Sequence, residues 1–175
     1  MKTFRFPLIA LLGLAAATAL RAEAPAVSPV DVTFVNPEKF TDVKDYYMPT
    51  DSGRDAILAD LKDYIVKRAS ARLAAGQHLT VTVTDVDLAG DFEPWHGSQM
   101  QDIRVIKDIY APKVNLSFTL TDDAGKIVKQ GERKLRNMNF TMNINSIGRS
   151  DPRFYDKALL DDWINDDFPR VKDKR

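Results

Sequence analysis

The sequence predicts an α+β domain: a mostly antiparallel sheet of four to five strands, with one long helix and a C-terminal helix packed on it. Three observations carry this prediction. Leu79, Val81 and Val83 alternate with threonines, and Val114, Leu116, Phe118 and Leu120 alternate with polar residues, which is the period of a half-buried strand. Ile57, Leu61, Ile65, Ala69 and Leu73 recur every four residues, the spacing of a core-facing helix stripe. Leu159, Leu160, Trp163, Ile164 and Phe168 form a second such stripe near the C-terminus. Strands grouped together between two helices place the helices on one face of the sheet.

The chain starts with a leader. Lys2 and Arg5 precede an uncharged apolar run from Phe6 to Leu20, and Arg21-Ala22-Glu23-Ala24 offers small residues for cleavage. This is the layout of a secretory signal peptide, and the run is shorter than the ~20 residues a membrane-spanning helix needs. Residues 1–22 are therefore read as a cleaved signal, with the mature chain starting at Glu23. Residues 23–29, rich in Pro and Ala, are read as a disordered linker, 30–170 as a single α+β domain, and 171–175 as a solvated tail.

Val30 to Val35 alternates as the first strand. Asn36-Pro37 reads as a capped helix start making a single turn. Asp51 or Ser52 is expected to cap the long helix, with Leu58 and Tyr64 widening its stripe and Gly76 as its left-handed terminator. The strand from His78 to Leu88 slips in phase after Val83, so a bulge is expected near Thr84-Asp85. Residues 89–101 read as a long polar loop, and Ile103 to Tyr110 as an ambiguous segment, an edge strand at most. Lys113–Thr121 and Ile127–Met138 form a hairpin over Asp122-Asp123-Ala124-Gly125, where Gly125 supplies positive φ. Met138, Phe140, Met142 and Ile144 still alternate, so this strand is expected to run on past a kink near Arg136. Phe154 to Phe168 is the C-terminal helix.

Composition excludes several functions. The chain holds 25 Lys+Arg against 25 Asp+Glu, and loss of a leader carrying Lys2, Arg5 and Arg21 leaves the remainder slightly acidic. Such a surface has no electrostatic footprint for nucleic acid. Cysteine is absent, which removes disulfides, thiol chemistry, zinc–thiolate sites and lipid attachment at a cysteine after the signal. The expected product is a soluble periplasmic protein, not a lipoprotein, with no stable membrane insertion after cleavage.

Several segments resemble one bacterial family. They are Val32-Thr33-Phe34-Val35-Asn36-Pro37-Glu38-Lys39-Phe40-Thr41-Asp42, Asp85-Val86-Asp87-Leu88-Ala89-Gly90-Asp91-Phe92-Glu93-Pro94, Ile103-Arg104-Val105 leading to Tyr110-Ala111-Pro112, and Gly131-Glu132-Arg133-Lys134-Leu135. Together they resemble domain of unknown function 3016, over nearly all of the mature chain. The resemblance implies an exported envelope protein of Gram-negative bacteria. It brings no catalytic residues, because none is established for the family.

The densest polar cluster is Asp85, Asp87, Asp91, Glu93, His96 and Asp102. Clustered carboxylates beside a histidine can bind a divalent cation or act as acid and base. Their spacing fits no metal-loop pattern, and a merely structural role is the commoner outcome. Phe92 and Trp95 stand in the long loop as recognition side chains or as staples to the core. Trp163 lies on a helix stripe and is read as core. Lys126, Lys129, Arg133, Lys134 and Arg136 make a basic strand, read as a charged sheet edge that discourages pairing with other chains. Ser98, Ser117 and Ser146 lack a nucleophile-elbow context. The reading is a non-catalytic binding or envelope-interaction module with no cofactor and no metal. Its candidate binding residues are Phe92, Trp95, Asp87, Asp91, Glu93, His96 and Arg104, and its partner an envelope protein or small ligand. The alternative is a hydrolase using the carboxylate/His cluster from Asp87 to His96, which requires those side chains to converge in one pocket.

Overall fold

The computed structural model describes residues 28–97, 99, 101–142 and 150–170. The leader, residues 23–27 of the Pro/Ala linker, Ser98, Ser146, the Asn143-Ile144 end of the expected strand and the tail at 171–175 lie outside the described residues. The chain runs β1 (Val30–Phe34), α1 (Asp51–Ser70), β2 (His78–Asp87), β3 (Asp91–Phe92), β4 (Arg104–Val105), β5 (Lys113–Thr121), β6 (Ile127–Arg136) and α2 (Phe154–Asp167). Short 3-10 turns occupy Pro37–Lys39, Pro94–His96 and Phe140–Met142.

The main sheet has the order β1-β2-β5-β6, with β1 parallel to β2 and the other pairs antiparallel. The parallel pair follows from the connection: α1 crosses over between the two strands, whereas β5 and β6 are joined by a tight turn. Gly125 in that turn has φ +77°, and its N–H donates to Asp122 O at 2.9 Å. The phase slip in β2 is a register shift between Val83 and Asp85, where the extra residue returns Val86 to the buried face.

One face of the sheet and both helices share the core. Ile57, Leu58, Leu61, Ile65 and Ala69 of α1 and Leu159, Leu160, Trp163 and Ile164 of α2 are buried with Val81, Val83, Leu116 and Phe118. The opposite residues, among them Thr80, Thr82, Ser117 and Thr119, are exposed or half-buried, so this sheet keeps one solvated face. Asp161 joins the helices: it accepts from Tyr64 Oη at 2.8 Å and from Arg68 Nε at 2.7 Å. The basic strand β6 is an edge of the sheet. Two of its cations reach α2, where Arg133 and Lys129 pair with Asp167 at 2.7 and 2.9 Å.

Four local expectations are corrected. Thr50, not Asp51 or Ser52, caps α1, its Oγ1 accepting from Gly53 N at 2.9 Å. Three successive residues are competent caps, and the choice is made by Asp45, whose carboxylate receives both the Thr50 N–H and its hydroxyl. Asn36 makes no side-chain cap; it sits at φ 53°, a left-handed conformation that asparagine tolerates. Gly76 has φ +80° but lies in the turn leading into β2, because α1 already ends at Ser70. Among the described residues the chain does not continue as a strand beyond Arg136. Asn137 Oδ1 accepts from Asn139 N at 2.9 Å and turns the backbone, and Phe140 is buried against Ala89, Ala111 and Tyr155. A side-chain-to-backbone bond and one buried ring override the alternation there.

Candidate functional site

The site is built where β2 leaves the sheet and passes the first turn of α2. Ala89 N–H donates to Asp156 Oδ1 at 2.8 Å, which draws this carboxyl inward until only 4 % of the residue is exposed. Gly90 follows at φ +80°, and a Cβ there would stand 2.7 Å from Val105 O. Glycine thus lets β4 close against the exit of β2. β3 and β4 pair antiparallel as a small separate ribbon, β3 inside the segment expected to be loop and β4 in the segment read as an edge strand at most, with Phe92 opposite Arg104.

Arg104 is the clamp of this ribbon. Its Nη1 donates to Asp42 Oδ2 at 2.9 Å and Gly90 O at 2.8 Å, and its Nη2 to Asp42 Oδ1 at 3.2 Å and Lys44 O at 3.1 Å. The guanidinium also lies 4.7 Å from the centroid of the Phe92 ring. Asp42 is itself buried, and its backbone bridges to β2 beside Asp87. A buried, bidentate pair of this kind locks the register of three chain segments.

Between the ribbon, the start of α1 and the first turn of α2 lies an open cleft of about 690 Å³. Its apolar walls are Tyr46, Ile57, Leu88, Phe92, Ile106 and Tyr155, and Arg104 and Asp156 are among its polar lining. Tyr46, Tyr47 and Met48, all exposed, stand on the loop that Asp45 closes through Thr50. Gly53 is required for this closure, because a Cβ at that position would collide with the Asp45 carboxylate. Burial pushes the Asp156 carboxyl up to about 6, with the Ala89 N–H and the charge of Arg104 acting in the opposite sense.

The predicted residues divide into three places. Phe92 and Arg104 line the cleft. Phe92 is buried, so of the two loop aromatics it is the staple, whereas Trp95 is 67 % exposed beside His96. Asp87 and Asp91 border a smaller cleft of about 240 Å³, where Asp87 pairs with Lys113 Nζ at 2.5 Å and Asp91 accepts from Phe92 N at 2.7 Å. Glu93 and His96 form a third group. Glu93 is buried and accepts from Lys107 Nζ and Tyr110 Oη at 2.7 and 2.9 Å, with His96 Nε2 2.9 Å from its carboxylate. The Lys107 hydrogen bond, followed by that of Tyr110, holds the Glu93 carboxyl below the usual range, and Glu93 in turn raises the Tyr110 phenol. The four side chains therefore do not converge in one pocket: Glu93 and His96 stand together, and Asp87 and Asp91 have other partners. Among the described residues no group of three His, Asp or Glu is arranged to hold a metal ion.

Sequence reasoning missed Asp156, Asp42 and Tyr46. Asp156 reads as an ordinary acid in a first helical turn, and only its contact with Ala89, far away in the chain, buries it. The signal available for Asp42 was its place in the first family-like segment.

The arrangement rests on residues within the span that a known sequence family covers. The pattern of the family described as Protein of unknown function (DUF3016) matches residues 28–166, most of the chain. The protein is a member of the DUF3016 family. No curated protein and no solved structure matches it. In this DUF3016 protein the difference between the two loop aromatics can be measured directly. Trp95→Ala is expected to change unfolding free energy by less than about 0.5 kcal/mol, as for a surface substitution. Chemical denaturation checks this, and a loss of several times that amount would mean that Trp95 packs in a way its exposure does not indicate.

Proposed function

We propose that this DUF3016 protein is an exported, non-catalytic binding module of the bacterial envelope that takes a ligand into the cleft between α1, α2 and the β3–β4 ribbon. The cleft itself carries the reading. Its volume of about 690 Å³ falls in the range of small-molecule sites, and its apolar walls meet a few fixed polar groups. The walls are preorganised: Arg104 holds the ribbon through four hydrogen bonds, and Asp45 holds the Tyr46 loop through Thr50. A rigid wall lowers the entropic cost of capture. The separation of Asp87 and Asp91 from the Glu93–His96 pair favours binding over hydrolysis. Export is supported by the Phe6–Leu20 leader, and among the described residues no helix is long and apolar enough to cross a membrane.

One experiment tests both parts. Protein released by osmotic shock from cells expressing the full chain is measured by native mass spectrometry, before and after incubation with envelope extract. The expected mass corresponds to a chain starting at Glu23, with a ligand adduct that is lost in Ala56→Trp. Ala56 is exposed on α1 at the cleft, so the larger side chain fills the cleft without entering the core. An adduct retained by Ala56→Trp would move binding away from the cleft, and an intact Met1 on membrane-bound protein would overturn export.

A further inference from the structure

The cleft holds an uneven set of charges. Arg104 is paired with Asp42, Arg153 with Asp60 and Asp151 with Lys157, at 2.9, 2.6 and 2.7 Å. Among the described residues, Lys44, Asp45, Asp102 and Asp156 line the cleft without an ion pair, so carboxylates outnumber ammonium groups there. Asp45 and Asp102 are not fully buried, and Asp45 is occupied by Thr50. Asp156 differs from both. It is almost fully buried, it borders the cleft, and only its Oδ1 receives a described donor, from Ala89 N. Its other oxygen is not an orphan sealed in the core, since the one buried side-chain polar atom without a partner among the described residues is Trp163 Nε1. A carboxylate oxygen at the base of an apolar cleft, with no cation paired to it, is complementary to a ligand that brings one.

Resting on the reading of the cleft as a binding site, we infer that the ligand class is an amphiphilic amine, its ammonium group on Asp156 and its apolar or aromatic body between Tyr46, Phe92 and Ile106. The charge is matched at the cleft base, and the body lies where water is displaced from aromatic and aliphatic walls. A carboxylate-headed ligand of the same shape meets Asp156 as a like charge and is rejected. Arg104 and Arg153 each hold their own carboxylate partner and make no ion pair with Asp156, so its free oxygen faces the cleft without a paired cation.

The probes are 4-phenylbutylamine, 4-phenylbutanoate and 4-phenylbutanol, titrated calorimetrically into the mature protein at pH 7.5, with Asp156→Asn and Ala56→Trp as variants. Asn at this position keeps an oxygen to accept the Ala89 N–H, so the fold is retained while the charge is removed. The expected result is that wild type prefers the amine to both the acid and the alcohol. Asp156→Asn should lose about tenfold or more in amine affinity, about 1.4 kcal/mol, with little change for the alcohol. Ala56→Trp should weaken all probes together. Equal or tighter binding of the butanoate, or an amine affinity unaffected by Asp156→Asn, would overturn the inference while leaving the cleft a binding site. Absence of binding for all three probes overturns the inference as well. Probe binding that Ala56→Trp does not weaken would overturn the cleft reading itself.

Discussion

Leu61→Ala is expected to cost roughly 2–5 kcal/mol of unfolding free energy. Leu61 lies mid-way along α1 with 2 % of its surface exposed, inside the cluster that includes Ile57, Ile65, Val81 and Leu116. Truncation removes its transfer free energy and leaves a cavity bounded by a helix and a sheet that cannot both collapse onto it. The α1–α2 contact is further fixed by Asp161 with Tyr64 and Arg68, and by Asp60 with Arg153 and Lys157, so relaxation by helix sliding is opposed. Urea unfolding followed by circular dichroism measures the effect, with the denaturant slope as a control for two-state behaviour. A loss below about 1 kcal/mol would mean that α1 does not pack through this face.

Asp156→Asn should act in the opposite direction. The ordinary Asp value is 3.8, and burial places this carboxyl at about 6 in the folded chain. The folded state therefore binds the proton more tightly than the unfolded state, and stability falls as pH rises between those two values. The contribution is fully present below 3.8 and lost above about 6. At about 1.36 kcal/mol per unit, the penalty at pH 7.5 is of order 3 kcal/mol, and at pH 5 about half of it remains. Asn has no charge to desolvate and keeps the acceptor for Ala89 N. The variant should thus be more stable than wild type at pH 7.5, by up to ~3 kcal/mol, and the difference should shrink towards zero near pH 4. The carboxylates of Asp60, Asp151 and Asp167, each held low by cationic partners, contribute equally to both proteins and cancel in the comparison. Parallel melts of both proteins from pH 4 to 8 make the measurement, and an Asn variant less stable than wild type at pH 7.5 would contradict this account of the buried carboxyl. A group that lowers stability at neutral pH is a common mark of a site kept for function, and here it coincides with the base of the cleft.

The candidate site was only half legible in the sequence. Phe92 and Arg104 line the cleft, but of Asp87, Asp91, Glu93 and His96, which stand close together in the chain, only Glu93 and His96 meet. The chain turns at Gly90, between β2 and the ribbon, and again in the Pro94–His96 turn, so residues close in sequence are carried into different surroundings. Lys113 and Lys107, the cations that receive Asp87 and Glu93, arrive from other segments. Asp156 and Tyr46 carried no signal at all, because burial of one and the position of the other depend on how α2 and α1 meet β2 and the ribbon.

What the sequence determined by itself was the long helices and the central strands, whose hydrophobic period runs over two or more turns or several strand residues. β5 was read to its residue limits, the bulge in β2 to its position, and the apolar stripe of α2 side chain by side chain. Periodicity is a local property repeated many times, so each repeat reinforces the same assignment. What only the tertiary structure decided were single-residue outcomes: which of three competent residues caps α1, whether the chain beyond Arg136 continues as strand or turns to bury Phe140, and which carboxylates lose their water. Each of these depends on one contact with a distant segment. One long-range hydrogen bond or one buried ring outweighs the small local preference of a single residue, and for that reason the cleft emerged only when the helices and the ribbon were brought together.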